Sequence, residues 1–184
     1  MGRDKLLLKV GGVPLIHRVH DVLAGECSEV IVVGHERDGL PPLKARSIED
    51  LRPGREGPLA GMEAGIAASV NRCVFVAAGD MPFLKAEMVR YMLDLIGEGA
   101  ARAAVPRHHG AHPLCAAYDG RMLSELTAAL DSGVRGARRF VERLDGVRYI
   151  EGEELERFGE PEILLMNVNS SEDLGRAVAL RKHQ

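Results

Sequence analysis

The sequence predicts an α/β protein with a mostly parallel sheet and helices on both faces. Strand-like and helix-like segments alternate along the chain, glycines and prolines fall between them, and two strongly apolar runs each end at a glycine. This alternation is typical of βαβ units. The 184 residues, 46% apolar and 28% charged, suit one globular domain over residues 1–184.

The first half of the chain alternates between the two kinds of segment. Residues 14–24 have apolar side chains at helical spacing after Pro14, which suits a first helical turn. The apolar runs 30–34 and 73–78 are typical of buried parallel strands. The other predicted elements are a short strand over 44–48 and helices over 59–70 and 85–96.

The second half continues the alternation with shorter segments. We predict two strands, 103–105 and 114–118, around a loop. Helices over 121–130 and 137–144 follow, then short strands over 147–150 and 163–166 and a closing helix over 171–181.

Composition and motifs exclude several classes of function. The net charge is −3, without the basic footprint of a nucleic-acid binder. No apolar run reaches the ~18 residues of a membrane span, and no signal-peptide pattern is present, so we expect a cytoplasmic protein. The three cysteines have no metal or redox spacing. Nucleophile-elbow, P-loop and dinucleotide-binding motifs are absent from the sequence.

The strongest candidate site residue is Asp80, which follows the predicted strand 73–78. Ligands bind beyond the carboxyl ends of strands in such sheets, and a carboxylate there can hold a divalent cation. The alternative is that Asp80 caps the next helix. Pro82 and Phe83 intervene before that helix, so the functional interpretation is favoured.

Other candidates are weaker when taken one at a time. Asp50 lies at the end of a predicted strand before a Gly/Pro-rich turn and a helix start that favours anions, although a plain surface connection explains it equally well. Lys5 could neutralise phosphate, or simply belong to a charged terminus. Asn167 and Asn169 would share one side of an extended segment, whereas Asn is also a common turn residue.

Three histidines, His108, His109 and His112, lie within five residues of a predicted loop. The loop contains no carboxylate, and no second cluster of ligands stands out. We therefore interpret it as a solvated loop, or one that meets an acidic substrate, rather than as a zinc site.

Taken in order, these segments resemble the molybdenum cofactor guanylyltransferase (MobA) family. The likeness runs through residues 1–8, 11–15, 57–62, 79–83, 112–114 and 167–174. The resemblance implies a Rossmann-like nucleotidyltransferase fold. It also implies a reaction in which GTP and molybdopterin, with or without bound molybdenum, give the guanine dinucleotide cofactor and pyrophosphate.

The resemblance also assigns roles to individual residues. It implies that Lys5 contacts phosphate, that Asp50 binds nucleotide and that Asp80 binds both Mg²⁺ and nucleotide, which makes Lys5 and Asp80 the catalytic pair. The amides of Asn167 and Asn169 would lie near the pterin. Partners implied by the family are GTP, molybdopterin and, transiently, molybdoenzymes or other proteins of the cofactor pathway.

One departure from the family concerns the beginning of the chain. The family opens with a strand and a loop of the form L-A-G-G-x-S-x-R-M-G, and this sequence starts at the final M-G. We expect upstream codons to encode an apolar strand and Gly-Gly, and we expect feeble GTP binding without them. The alternatives are a cytidylyltransferase that uses CTP and a non-catalytic remnant that binds pterin or a partner.

Overall fold

The computed structural model describes residues 5–34, 42–52 and 57–181. The described strands are β1 (Lys9–Val10), β2 (Val13–Pro14), β3 (Ile31–Val33), β4 (Arg46–Ile48), β5 (Cys73–Ala77), β6 (Ala103–Pro106), β7 (Cys115–Asp119) and β8 (Val147–Ile150). The described helices are α1 (Leu15–Glu26), α2 (Pro58–Ala68), α3 (Ala86–Gly97), α4 (Leu123–Asp131), α5 (Ala137–Val141), α6 (Glu153–Glu156), α7 (Pro161–Leu164) and α8 (Ser171–Arg181). Short 3₁₀ turns span Lys5–Leu7 and Gly120–Met122.

The central sheet has the strand order β5-β7-β6-β8 and is mixed. Strand β7 runs antiparallel to both β5 and β6, whereas β6 and β8 are parallel. Three of these four strands therefore run in the same direction, and β7 is the one departure from the predicted mostly parallel sheet. Only residues 107–114 connect β6 to β7, and a parallel connection needs a crossover of a dozen residues or more.

Helices cover both faces of this sheet, as predicted. Alternate residues such as Val105 and Tyr118 pack against α2, α4 and α5 on one face. Their neighbours Ala104 and Ala117 pack against α1 and α3 on the other face. A third apolar cluster joins β1 and α8 to Phe83 and the segment around residue 168.

A cavity of about 610 Å³ separates β5 from the parallel pair β3-β4. Its walls include residues 30–33 on one side and 73–78 on the other, and α1 and α2 contribute to the lining. The two apolar runs predicted to be buried strands are consequently only half-buried.

Several element predictions need correction. Residues 163–166 do not form a strand, because Pro161 begins the short helix α7 and the chain then continues without regular structure. The helix predicted over 137–144 ends at Val141. The hairpin β1-β2 was not predicted, although Gly11 and Gly12 both have positive φ angles, as a tight two-residue turn requires.

The remaining predicted helices and strands are present, with bounds that differ by a few residues. Within the described ranges, no helix combines the length and the apolar character needed to cross a membrane.

Candidate functional site

Asp80 lies just beyond the carboxyl end of β5 and is 5% exposed. Its main-chain oxygen accepts a 2.9 Å hydrogen bond from the amide of Val168. Helix α3 begins at Ala86 with Lys85 as its N-cap, so Asp80 is not the cap of that helix. The capping alternative for Asp80 is thus excluded, and the residue lies in a buried turn between β5 and α3.

The segment 167–169 lies directly beside Asp80. Val168 is buried, whereas Asn167 is half-buried and Asn169 is exposed, so the two asparagines alternate with an inward-pointing valine. This agrees with the prediction that they share one side. Their position next to the candidate carboxylate follows from the hydrogen bond between the Val168 amide and Asp80.

A reciprocal cap fixes the end of this segment. The Asp173 amide donates to Ser170 Oγ at 3.0 Å, and Asp173 Oδ2 accepts from the amides of Ser170 at 2.8 Å and Asn169 at 3.0 Å. Hydrogen bonding of the Ser170 side chain to the Asp173 carboxylate, together with these two main-chain amides, lowers the pKa of Asp173. The start of α8 therefore holds residue 169 in a defined position.

The N-terminal 3₁₀ turn lies against the end of β5. A Cβ atom added to Gly79 would lie 3.0 Å from Leu6 Cδ2, so only glycine allows this approach without displacing Leu6. The main chain of Lys5 begins the same turn, which brings it close to the strand end that carries Asp80. For Lys5 the structure describes the main chain alone, and the phosphate contact of its side chain remains a prediction.

Asp50 lies two residues beyond β4 and is half-buried. Its Oδ1 atom would be 3.7 Å from a Cβ atom on Gly61 of α2. Gly61, Leu6 and Gly79 all line the cavity between β3 and β5. Asp50 thus lies beside one glycine of the cavity wall, Gly61, and Asp80 follows another, Gly79, in the chain.

The segment after Asp50 is anchored by an ion-pair network. The sequence analysis did not predict this network. Arg52 donates to both carboxylate oxygens of Glu63 on α2 at 2.7 and 2.9 Å, and it also pairs with Asp131 at 2.8 Å. Thr127 donates a further hydrogen bond to Glu63 at 2.8 Å. The Arg52 guanidinium lowers the pKa of Glu63, and the same contacts raise the pKa of Arg52. No spacing rule in the sequence pairs these residues.

The histidine loop differs from the prediction in one respect. Glu162 of α7 lies 3.0 Å from His108 and 3.7 Å from His109, so a carboxylate reaches these side chains from another part of the chain. His112 instead contacts the main-chain oxygen of His108 at 3.0 Å. Burial lowers the pKa of His112.

Comparison with known protein families agrees with the family resemblance of the sequence. A family model described as the MobA-like NTP transferase domain matches residues 1–147. A probable molybdenum cofactor guanylyltransferase of Pelotomaculum thermopropionicum is 35% identical over 179 residues, which cover 96% of this chain and 85% of that protein. A molybdenum cofactor guanylyltransferase of Desulfosudis oleivorans is 27% identical over 184 residues, with coverages of 98% and 89%.

Solved structures agree with this result. Molybdopterin-guanine dinucleotide biosynthesis protein A from Archaeoglobus fulgidus matches with a TM-score of 0.81 at 27% identity, covering 100% of this chain and 93% of that one. The 2-C-methyl-D-erythritol 4-phosphate cytidylyltransferase from Thermus thermophilus matches with a TM-score of 0.71 at 21% identity, covering 97% and 93%. This second likeness shows the fold alone, and the predicted nucleotidyltransferase fold is thereby confirmed.

Proposed function

The chain belongs to the MobA-like NTP transferase family, and from this premise we propose that it transfers GMP from GTP to molybdopterin and releases pyrophosphate. The relatives that align with nearly the whole length of the chain are named molybdenum cofactor guanylyltransferases. The observation that carries the proposal is that three segments meet at residues 79–80: the end of β5, the 3₁₀ turn Lys5–Leu7 through Leu6 against Gly79, and the segment 167–169 through Val168 against Asp80.

The donor set around Asp80 fits Mg²⁺. This ion takes oxygen ligands and is commonly bound through one or two carboxylates together with substrate phosphates. Asp80 supplies a carboxylate at the end of a strand, and the side-chain amides of Asn167 and Asn169 belong to the neighbouring segment. Asp80 would hold the ion, and bound Mg²⁺ would neutralise the charge of the triphosphate.

The other residues position the substrates. Lys5 places a positive charge near the phosphates, and Asp50 binds the nucleotide beside the start of α2. The asparagine pair orients the pterin. The phosphate monoester of molybdopterin is already anionic near neutral pH, so Asp80 has no proton to remove. Rate acceleration then comes from alignment and from charge neutralisation rather than from covalent chemistry.

The test is pyrophosphate release with molybdopterin and either GTP or CTP, using the longest form of the protein that its reading frame encodes. Asp80→Asn should lower kcat by at least about 100-fold, since it removes the metal-binding charge. Asp94→Asn, an exposed aspartate on α3, is the matched control and should retain turnover.

Three results would contradict the proposal. Unchanged turnover by Asp80→Asn would exclude the assigned role of that carboxylate. A preference for CTP would make the protein a cytidylyltransferase. Absence of pyrophosphate release with either nucleotide would favour a non-catalytic binding role.

A further inference from the structure

Two histidines and a glutamate from separate parts of the chain meet at the surface. His108 and His109 belong to the loop between β6 and β7, and Glu162 belongs to α7. One ligand atom from each residue can be chosen so that all three lie within 4.8 Å of one another. The Nε2 atoms of His108 and His109 lie 3.0 and 3.7 Å from the same carboxylate oxygen, Oε1 of Glu162.

These separations match those between ligands around a small metal ion. Bonds of about 2.0–2.1 Å at tetrahedral angles place neighbouring ligand atoms roughly 3.3 Å apart. The two measured separations fall on either side of that value. Two imidazoles and one carboxylate also leave a coordination position for water or substrate, as in His₂Glu zinc centres.

The local backbone presents the imidazoles to solvent. His109 has a φ of 52°, in the left-handed region that residues other than glycine rarely adopt. A hydrogen bond of 3.1 Å from the His108 amide to the Gly110 carbonyl closes the tight turn, and Arg107 and Ala111 form a β-bridge across it. The His109 side chain is 82% exposed, so an ion can reach the cluster directly.

We propose that His108, His109 and Glu162 form a binding site for a divalent transition-metal ion of the zinc class. Imidazole nitrogen selects borderline ions such as Zn²⁺, Co²⁺ and Ni²⁺, whereas Mg²⁺ prefers an all-oxygen shell. The histidine site would therefore select a different class of ion from the one proposed for the carboxylate of Asp80.

A bound ion would join two segments that border Asp80. The histidine loop ends at Leu114, whose carbonyl accepts a 2.7 Å hydrogen bond from Ala78 at the end of β5. The chain that leaves α7 continues to Val168, whose amide bonds to Asp80. Metal binding would thus cross-link the two segments that hydrogen-bond to residues 78 and 80.

The experiment is calorimetric titration of the tag-free protein with Zn²⁺, with and without excess Mg²⁺. We expect one Zn²⁺ per chain and no competition from Mg²⁺. His109→Asn keeps a residue that tolerates the left-handed backbone but removes the imidazole, and Glu162→Gln removes the charge. Each substitution should weaken Zn²⁺ binding by at least about tenfold, since even the loss of an outer-shell partner costs 10–100-fold.

Glu160→Gln, a substitution of an exposed glutamate just before α7, is the matched control and should leave Zn²⁺ affinity unchanged. Co²⁺ provides a second measurement, because its visible absorption reports the ligand geometry and should be lost in both site variants. The proposal is wrong if the unmodified chain binds no Zn²⁺, or if His109→Asn and Glu162→Gln bind it as well as the unmodified chain does. In either case the cluster is a contact between two imidazoles and a carboxylate and nothing more.

Discussion

Replacing Glu63 by glutamine should destabilise the fold strongly, because this carboxylate is the centre of a nearly buried network. Its side chain is 6% exposed and that of its partner Arg52 is 20% exposed. The carboxylate accepts two hydrogen bonds from Arg52 and one from Thr127. Glutamine keeps the size of the side chain but has one acceptor oxygen in place of two and no charge.

The expected loss is about 3 kcal/mol in the free energy of unfolding, since removing one member of a buried ion pair costs roughly 3–5 kcal/mol and Asp131 still partners Arg52. For a chain of 184 residues, this corresponds to a decrease of roughly 6–12 °C in Tm. The loss should be accompanied by weaker nucleotide binding, because Arg52 holds the segment that follows Asp50.

The difference in the free energy of unfolding between Glu63→Gln and the unmodified chain should become smaller as the pH falls. Folding lowers the pKa of Glu63 from its ordinary value of 4.5. The stabilisation is therefore fully present above about pH 4.5 and is lost as the pH falls through the lower pKa of the folded state. Urea unfolding at a series of pH values should show the two chains converging in stability under acid conditions.

The matched control is Glu125→Gln, the same substitution in an ion pair with Arg102 on the surface. Both of those side chains are exposed, at 49% and 39%, and the change should cost no more than about 1 kcal/mol. Equal losses from the two substitutions, or a Glu63 effect that persists unchanged at pH 3, would refute the assignment of stability to the buried pair.

Two further substitutions test the core, at Tyr118, and the end of β5, at Gly79. Tyr118→Phe removes a buried hydroxyl that donates to the Pro113 carbonyl at 2.7 Å, and calorimetry should show a loss of about 1–2 kcal/mol; an unchanged Tm would mean that the bond contributes nothing. Gly79→Ala forces Leu6 to move and should cost about 1 kcal/mol and weaken GTP binding, as measured by titration. Gly25→Ala is its control, with no atom within 4 Å of the added methyl group, and should leave GTP binding intact; equal effects of the two would contradict the close-approach argument.

Local patterns predicted the kind and order of most elements but not the direction of every strand. The apolar run at 73–78 and the helical spacing at 85–96 correspond to β5 and α3. Strand direction depends on the partner and on the connection, and an apolar run looks the same in both orientations. The short 107–114 connection was the available signal for an antiparallel β7, because it leaves no room for a crossover helix.

The part of the candidate site that could be predicted is the residue whose place follows directly from a strand. Asp80 follows a strand end in the sequence, so its placement at the edge of the sheet follows from the strand itself. The contact between Glu162 and His108 joins residues 54 positions apart, and it exists only because α7 packs beside the β6–β7 loop. Long-range pairs of this kind leave no local pattern to find.

The cavity between β3 and β5 has a consequence for main-chain hydrogen bonding. Among the described residues, β3 pairs with β4 alone and β5 with β7 alone, so each presents a main-chain edge to the same apolar space. An extended polypeptide entering that space would gain a ladder of hydrogen bonds on either side and cover valine, phenylalanine and alanine side chains at once. Unpaired edges are templates for added strands, so the two edges together favour pairing with one extended segment of apolar character.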